Sequence, residues 1–279
     1  MKFKFLSLIF LFIFCLNFMY GKERQRIISL SPAGTEIIFA LEEGESLIGR
    51  TDFCDYPPEA QSVPSVGGFD GKTISLEKII AMKPTGVCLT DGMHNHLELP
   101  LRELGIETCL LKGSSIEDIY QGIISVSTLL KVPEKGETLV EKIKAQVNSV
   151  SVNKATSRPK VYYEISSNPY ITCGKGSFLN EVIKAAGGIN CFEDSGSPYP
   201  DISPEAIILA NPDVIIYPIY SEKQNPEKIL AEIISRPGWN LINAVKNGRI
   251  IFIDCNLAER PGPRIGEGIL LLNSGLYEN

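Results

Sequence analysis

Ile74-Ser75-Leu76-Glu77-Lys78-Ile79-Ile80 and Ile202-Ser203-Pro204-Glu205-Ala206-Ile207-Ile208 stand 128 residues apart in a chain of 279. Pro84 and Pro212 keep the same offset, and apolar strand-like residues follow both. Each unit reads as a serine-capped helix, a proline stop and a buried strand. A helix-to-strand unit that recurs at so large an offset predicts two related lobes, not a solenoid of short repeats.

The flanking sequence fills in both lobes. Arg26 to Leu30 reads as a strand, Ser31-Pro32-Ala33-Gly34-Thr35 as a turn and Glu36 to Leu41 as a helix. Strands are expected over Glu45 to Arg50, Gly86 to Leu89 and Ile106 to Leu111, and a helix over Leu97 to Leu104 closed by Gly105. From Ser114 the strands stop. Ser114 and Glu117 have capping-box spacing, and Pro133 restarts a helix expected to reach Asn153. Strands return at Lys160 to Ile165, Val214 to Tyr217 and Arg249 to Ile253, with helices ending at Ala186 and spanning Ser203 to Leu209, Pro226 to Ile234 and Ile265 to Leu272. Alternating strands and helices imply parallel sheets. The expected fold is α/β: two α/β lobes with parallel sheets joined by one long helix, with a ligand cleft between the lobes. The boundaries are 1–21 for a signal peptide, 22–130 for the N-terminal lobe, 131–157 for the linking helix and 158–279 for the C-terminal lobe.

The first residues are a targeting segment. Lys2 and Lys4 precede an almost wholly apolar run from Phe5 to Leu16, and polar sequence begins at Lys22. Cleavage after Gly21 would leave 25 basic and 33 acidic residues, a charge of -8 against -6 for the whole chain. Cys15 offers a competing route, lipoprotein processing. Both place the protein outside the cytoplasmic membrane, in the periplasm or on the membrane's outer face. The acidic balance excludes nucleic-acid partners, which need clustered lysine and arginine. The six later cysteines are widely spaced without a CxxC, so a zinc site is not indicated. Cys88 and Cys109 lie in apolar strands and read as buried small hydrophobes.

Catalytic signatures are sparse: there is no GxSxG, HExxH or Walker A loop. The two histidines, His94 and His96, follow a strand, where a pair could coordinate a metal or a metal centre in a ligand. Aromatic residues gather in glycine- and proline-rich loops instead: Phe53 and Tyr56 around Cys54-Asp55, Phe69 in Gly67-Gly68-Phe69-Asp70-Gly71, Tyr170 after Asn168-Pro169, and Tyr199 in Ser197-Pro198-Tyr199-Pro200. Such residues suit a cleft that grips a large, partly apolar ligand. The loop after Ile253 adds Asp254, Asn256, Arg260 and Arg264. The arginines suit amide, carboxylate or phosphate groups on a ligand. Glu77 and Glu205 occupy matched helix N-termini, where a carboxylate is favoured by the helix dipole. They could also present matched negative knobs to a partner.

In this order, several stretches resemble the substrate-binding proteins of ABC importers, in the cluster that handles vitamin B12, ferric siderophores and haem. They are Arg26 to Glu36, Asp55-Tyr56-Pro57-Pro58, Ile74 to Ile79 with Lys83-Pro84, Leu104-Gly105-Ile106, Ala186-Gly187-Gly188, Pro198 to Ser203 and Arg260-Pro261-Gly262-Pro263-Arg264. The chain is most similar to the periplasmic vitamin B12-binding protein family. That resemblance implies a non-enzymatic monomeric receptor with no catalytic cofactor, its bound ligand a corrinoid. It implies ligand contacts at Tyr56, Phe69, Tyr170, Tyr199, Asp254 and Arg264; His94 is added to this set from its own place after a strand. It also implies docking of Glu77 and Glu205 on the permease dimer, which works with its ATPase. The chain departs from the B12 pattern in having Phe69 and Tyr199 where tryptophan is frequent, and Asp91-Gly92-Met93-His94 where an aromatic is favoured. A ferric siderophore or haem is the alternative ligand. An exported α/β hydrolase, or a metal-ion receptor built on His94 and His96, is the alternative from another class.

Overall fold

A computed structural model describes residues 24–68, 73–150 and 158–277. The expected signal segment with Cys15, Phe69 in its loop, and the end of the expected linking helix lie outside the described residues. The N-terminal half carries strands β1 (Ile27–Ser29), β2 (Leu47–Arg50), β3 (Gly86–Thr90) and β4 (Glu107–Leu111). The C-terminal half carries β5 (Lys160–Tyr163), a short hairpin of β6 (Ser166–Ser167) and β7 (Tyr170–Ile171), then β8 (Ile189–Asn190), β9 (Val214–Ile219) and β10 (Ile250–Asp254). The two large sheets run β2-β1-β3-β4 and β8-β5-β9-β10, and every pairing in them is parallel. In each half the first strand lies between the second and third, with the fourth outermost. The lobes therefore share one topology.

The helices in chain order are α1 (Pro32–Ala40), α2 (Leu76–Ala81), α3 (Asn95–Glu103), α4 (Ile116–Leu129), α5 (Pro133–Asn148), α6 (Phe178–Ala185), α7 (Pro204–Ala210), α8 (Pro226–Ser235), α9 (Asn243–Lys246), α10 (Cys255–Ala258) and α11 (Ile265–Tyr277). The repeat read from the sequence holds atom by atom at α2 and α7. Ser75 Oγ accepts from Lys78 N at 3.2 Å, and Ser203 Oγ from Ala206 N at 3.2 Å. Ile79 and Ile207 are both fully buried. Lys83 and Asn211 both leave their helices in the left-handed region, at φ 48° and 46°, one residue before the prolines. A basic residue at the start of each lobe's first strand, Arg26 just before β1 and Lys160 as the first residue of β5, reaches a carbonyl at the end of the helix: Arg26 Nη2 to Met82 O at 2.7 Å, and Lys160 Nζ to Ala210 O at 3.4 Å.

Strand alternation divides the apolar residues between the two faces of each sheet. Ile27 and Cys88 face inward with Val161, Tyr163, Val214 and Ile216, in one core shared with α1, α4, α5, α6 and α11. Ile28, Val87 and Leu89 face outward onto α2 and α3, and Tyr162 and Ile215 onto α7, α8 and Trp239. The largest core thus runs continuously through both lobes. The linking helix α5 packs on α4 on one side and on α11 of the C-terminal lobe on the other. Cys88 and Cys109 are register partners on β3 and β4 and lie in this core as expected. No disulfide forms among the described cysteines.

Several boundaries differ from the sequence reading. The Ser31-Pro32 turn is itself the start of α1: Ser31 caps it, accepting from Gly34 N at 3.2 Å, and Pro32 takes the first helical position, where its missing N–H costs nothing. The cap of α4 is Ser115, not Ser114. Ser115 Oγ accepts from Asp118 N at 3.0 Å, while the Asp118 carboxylate accepts from Ser114 N at 3.0 Å, so the return bond reaches the amide before the cap and not the cap's own. Helix α5 ends at Asn148, short of Asn153. Because α7 turns Ile207 inward and Leu209 outward, Ile207→Ala is expected to cost about 2–5 kcal/mol. Leu209→Ala, at a site 87% exposed, should cost less than about 0.5 kcal/mol. Urea denaturation followed by circular dichroism measures both, and equal losses would contradict this assignment of faces.

Candidate functional site at the interlobe crevice

In a parallel sheet all strands end on the same edge, and the loops leaving that edge collect side chains in one place. A crevice of about 520 Å³ lies between the lobes there, lined by Asp55 after β2, Tyr220-Ser221-Glu222 after β9, and Phe252, Asp254 and Asn256 around the end of β10. Asp254 caps α10, its carboxylate accepting from Asn256 N at 2.9 Å.

Beside the crevice one carboxylate fastens the lobes together. Glu36, in the second turn of α1, has a side chain only 1% exposed. It accepts from Arg264 through both oxygens, Nε to Oε2 at 2.8 Å and Nη2 to Oε1 at 2.6 Å. Arg260 Nη1 adds a contact to Oε1 at 2.8 Å and another to Asp55 Oδ1 at 3.0 Å. The planar fork of Arg264 thus matches the carboxylate in two-point geometry. Burial opposes the charge on Arg264, but the bonds and charge of Glu36 prevail and hold its pKa above the ordinary arginine value. The Arg264 guanidinium also lies over Tyr56, 3.7 Å from the ring centroid. Two further contacts close the same seam. Pro261 comes so near Gly113 that a Cβ there would sit 2.5 Å from Pro261 Cγ. Glu181 of α6 accepts from Ile116 N at 2.9 Å, placing negative charge at the N-terminus of α4.

The C-terminal wall has its own polar framework. Glu259 accepts from Tyr163 Oη at 3.0 Å and from Tyr220 Oη at 2.9 Å. Burial raises the pKa of Glu259 despite those donors, and burial beside Glu259 raises that of Tyr220. Deeper in the lobe, Arg236 makes a two-point bond to buried Glu164 at 2.6 and 2.7 Å and lies 4.3 Å from the Trp239 ring centroid.

The profile of a known family, described as periplasmic binding protein, matches residues 27–257. The chain belongs to the periplasmic binding proteins. Among relatives, it is 29% identical over 243 residues to the vitamin B12-binding protein of Vibrio cholerae, covering 86% of this chain and 84% of that one. It is also 29% identical over 265 residues to an uncharacterized ABC transporter substrate-binding lipoprotein of Bacillus subtilis, covering 92% and 81%. Among solved structures, one from Staphylococcus epidermidis, described as a possible iron-binding (periplasmic solute-binding) protein, superposes with a TM-score of 0.79 at 31% identity, covering 92% and 100%. The periplasmic heme-binding protein of Roseiflexus, in apo form, superposes with a TM-score of 0.77 at 28% identity, covering 91% and 98%.

In this periplasmic binding protein the residues singled out from sequence are not all in one place. Tyr56, Asp254 and Arg264 come together at the crevice: Tyr56 is 42% exposed over Arg264, which feels the Asp254 charge. Glu36 takes the Nε and Nη2 donors of Arg264. Tyr199 is 54% exposed, and the Glu259 carboxylate lies near enough to raise its phenol's pKa after burial has done so. Tyr170 is half-buried against Trp239, at 6.0 Å between centroids. His94 does not face the cleft. It is fully buried, its Nδ1 accepting from Thr90 N at 3.0 Å. His96 is exposed, so the two do not form a coordinating pair. No group of three or more potential metal-ligating side chains occurs among the described residues.

Glu77 and Glu205 are exposed at the starts of α2 and α7, one on each lobe. The sequence reading missed Glu36, Tyr220, Glu222 and Phe252. Only Glu36 carried a signal, a single charge within the otherwise uncharged helix Pro32 to Ala40. Arg264→Ala is expected to cost about 2–3 kcal/mol, since it leaves Glu36 buried with only Arg260 as partner. Chemical denaturation checks this, and a loss below about 0.5 kcal/mol, the level of an ordinary surface change, would show that the bridge does not fasten the lobes.

Proposed function

We propose that this periplasmic binding protein captures a corrinoid between its lobes and hands it unaltered to the permease of an ABC importer, driven by its ATPase. The observation that supports the reading is the meeting of aromatic and hydrogen-bonding groups at the crevice: Tyr220, Phe252, Asp254 and Asn256 in its lining, and Tyr56 stacked on the guanidinium that the adjoining bridge holds. A corrin is a broad apolar plane edged with amides. Aromatic rings suit the plane, and carboxylate and amide oxygens suit the N–H groups of the edge. The likeness to the Vibrio relative supports the same ligand. Haem or a ferric siderophore is the second reading, favoured by the likeness to the Roseiflexus and Staphylococcus structures.

We place delivery at Glu77 and Glu205, which dock on arginines of the permease dimer, and we take residues 1–21 as the export segment with Cys15 as the alternative lipid site. The Bacillus lipoprotein supports an exported location, and no described helix is long and apolar enough to cross a membrane. The proposed divisions are 22–130, 131–157 and 158–279, working as a monomer without bond chemistry.

Mixing the purified protein separately with cyanocobalamin, haem and ferric siderophores, then separating by size, tests the ligand. The cobalamin chromophore is expected to co-migrate with the protein, and exclusive co-migration of haem or a siderophore would replace the corrinoid. Glu77→Arg with Glu205→Arg is expected to abolish permease pull-down while leaving ligand affinity unchanged. Undiminished pull-down would reject these residues as the docking pair.

A further inference from the structure

Glu259 follows α10, and its N–H closes that single turn on Cys255 O at 2.7 Å. The turn begins in the crevice lining, at Asp254 and Asn256. One oxygen of the Glu259 carboxylate, Oε1, takes both phenols, Tyr163 at 3.0 Å and Tyr220 at 2.9 Å. The two donors stand differently towards water. Tyr163 is wholly buried, and away from Glu259 its hydroxyl would go unbonded. Tyr220 is 49% exposed and lines the crevice, so its hydroxyl can exchange Glu259 for solvent. Its backbone is tied separately: Gln224 Oε1 accepts from Tyr220 N at 2.6 Å and from Ser221 N at 3.0 Å. The hold of Glu259 therefore governs where the ring points, and not where the turn lies.

Among the described residues no cation is bonded to this carboxylate, and the next side chain, Arg260, is turned to Glu36 and Asp55. The titratable groups around it are the phenols of Tyr163 on β5, Tyr199 after β8 and Tyr220 after β9, and the thiols of Cys173 after β7 and Cys255 on α10. Burial first, with the charge of Glu259 as a further cause, raises all five, so they stay neutral at and below neutral pH. Glu259, itself raised by burial, is the member of this cluster that changes charge there. A carboxylate accepts a hydrogen bond more strongly than a neutral carboxyl does. We infer that Glu259 is a positioning residue for the C-terminal wall of the crevice: its carboxylate holds the Tyr220 ring in place, and a proton on it frees the ring, so the crevice grips its ligand less firmly in acid. The hold is present above the titration of Glu259 and is lost as pH falls through it. Burial disfavours the charged form, so this protonation does not itself weaken the fold, which separates the loosening of Tyr220 from acid unfolding. The inference rests on the crevice being the ligand site and adds an acid dependence to the corrinoid reading.

The test has a ligand-free arm and a binding arm. A fluorinated tyrosine at position 220 reports the surroundings of that ring by fluorine NMR. In the otherwise wild-type chain its resonance is expected to titrate between about pH 7.5 and 4.5, with a midpoint above the ordinary glutamate value, and to stay fixed in Glu259→Gln. Cyanocobalamin, which has no group of its own titrating in that range, is expected to bind the wild-type protein about fivefold more weakly at the acid end. Glu259→Gln is the isostere of the protonated acid and should show the wild-type acid affinity at every pH. Tyr220→Phe should be equally flat, and carries the binding arm should Glu259→Gln fail to fold by circular dichroism. A titration belonging to Asp55, Glu222 or Asp254 of the lining would persist in both variants. A fluorine resonance that does not move with pH, or moves equally in Glu259→Gln, would overturn the inference. So would wild-type binding that is flat, or a pH dependence that survives in the variants. Failure of cyanocobalamin to bind at any pH would remove the corrinoid reading alone, and the fluorine titration would still uphold or overturn the hold on Tyr220.

Discussion

The contact on which the architecture turns is the buried carboxylate of Glu36 held by Arg260 and Arg264. It ties the first helix of one lobe to the last loop of the other, across 224 and 228 residues of sequence. A buried ion pair contributes little net stability relative to apolar packing, because both charges must leave water. Its consequence is geometric. Two-point bonding admits little rotation, and an uncompensated charge at that depth is costly enough to keep the partners together. Tyr56 on Arg264, and Pro261 against Gly113, then follow from where the bridge brings the chain.

The fastening acts in parallel with a continuous core. Inward residues of both sheets pack through the same central helices, α5 among them, so the lobes do not meet only at their loops. A receptor built this way presents its surfaces at a nearly constant spacing. That matters for Glu77 and Glu205, which stand on equivalent short helices of the two lobes and whose separation the frame sets. The same frame carries the crevice, because Arg260, bound to Glu36, also holds Asp55 of its lining.

Local chemistry was legible in the sequence, and long-range pairing was not. Ser75 and Ser203 announced their helices because a cap is settled by residues three positions away, and the shared offset of Pro84 and Pro212 announced the repeated lobe. Ser115 was displaced by one position because Ser114 and Ser115 both satisfy a capping pattern. At the crevice, Asp254 was legible because loops after strands in an α/β fold converge. The same rule put His94 in the cleft, yet tertiary packing buries it, where it accepts from the Thr90 amide. The bond of Arg264 to Glu36 was not legible, because 228 residues separate the two and no spacing rule joins them.

The most direct test of the fastened frame is the distance between the lobes. Spin labels carried by unnatural residues at positions 77 and 205, one per lobe, leave the native thiols untouched and can be measured by pulsed electron paramagnetic resonance. The account predicts one narrow distance distribution in the otherwise wild-type chain, broadened when Glu36 is replaced by glutamine. A broad or two-peaked distribution with Glu36 in place would contradict it, as would a distribution that glutamine leaves unchanged.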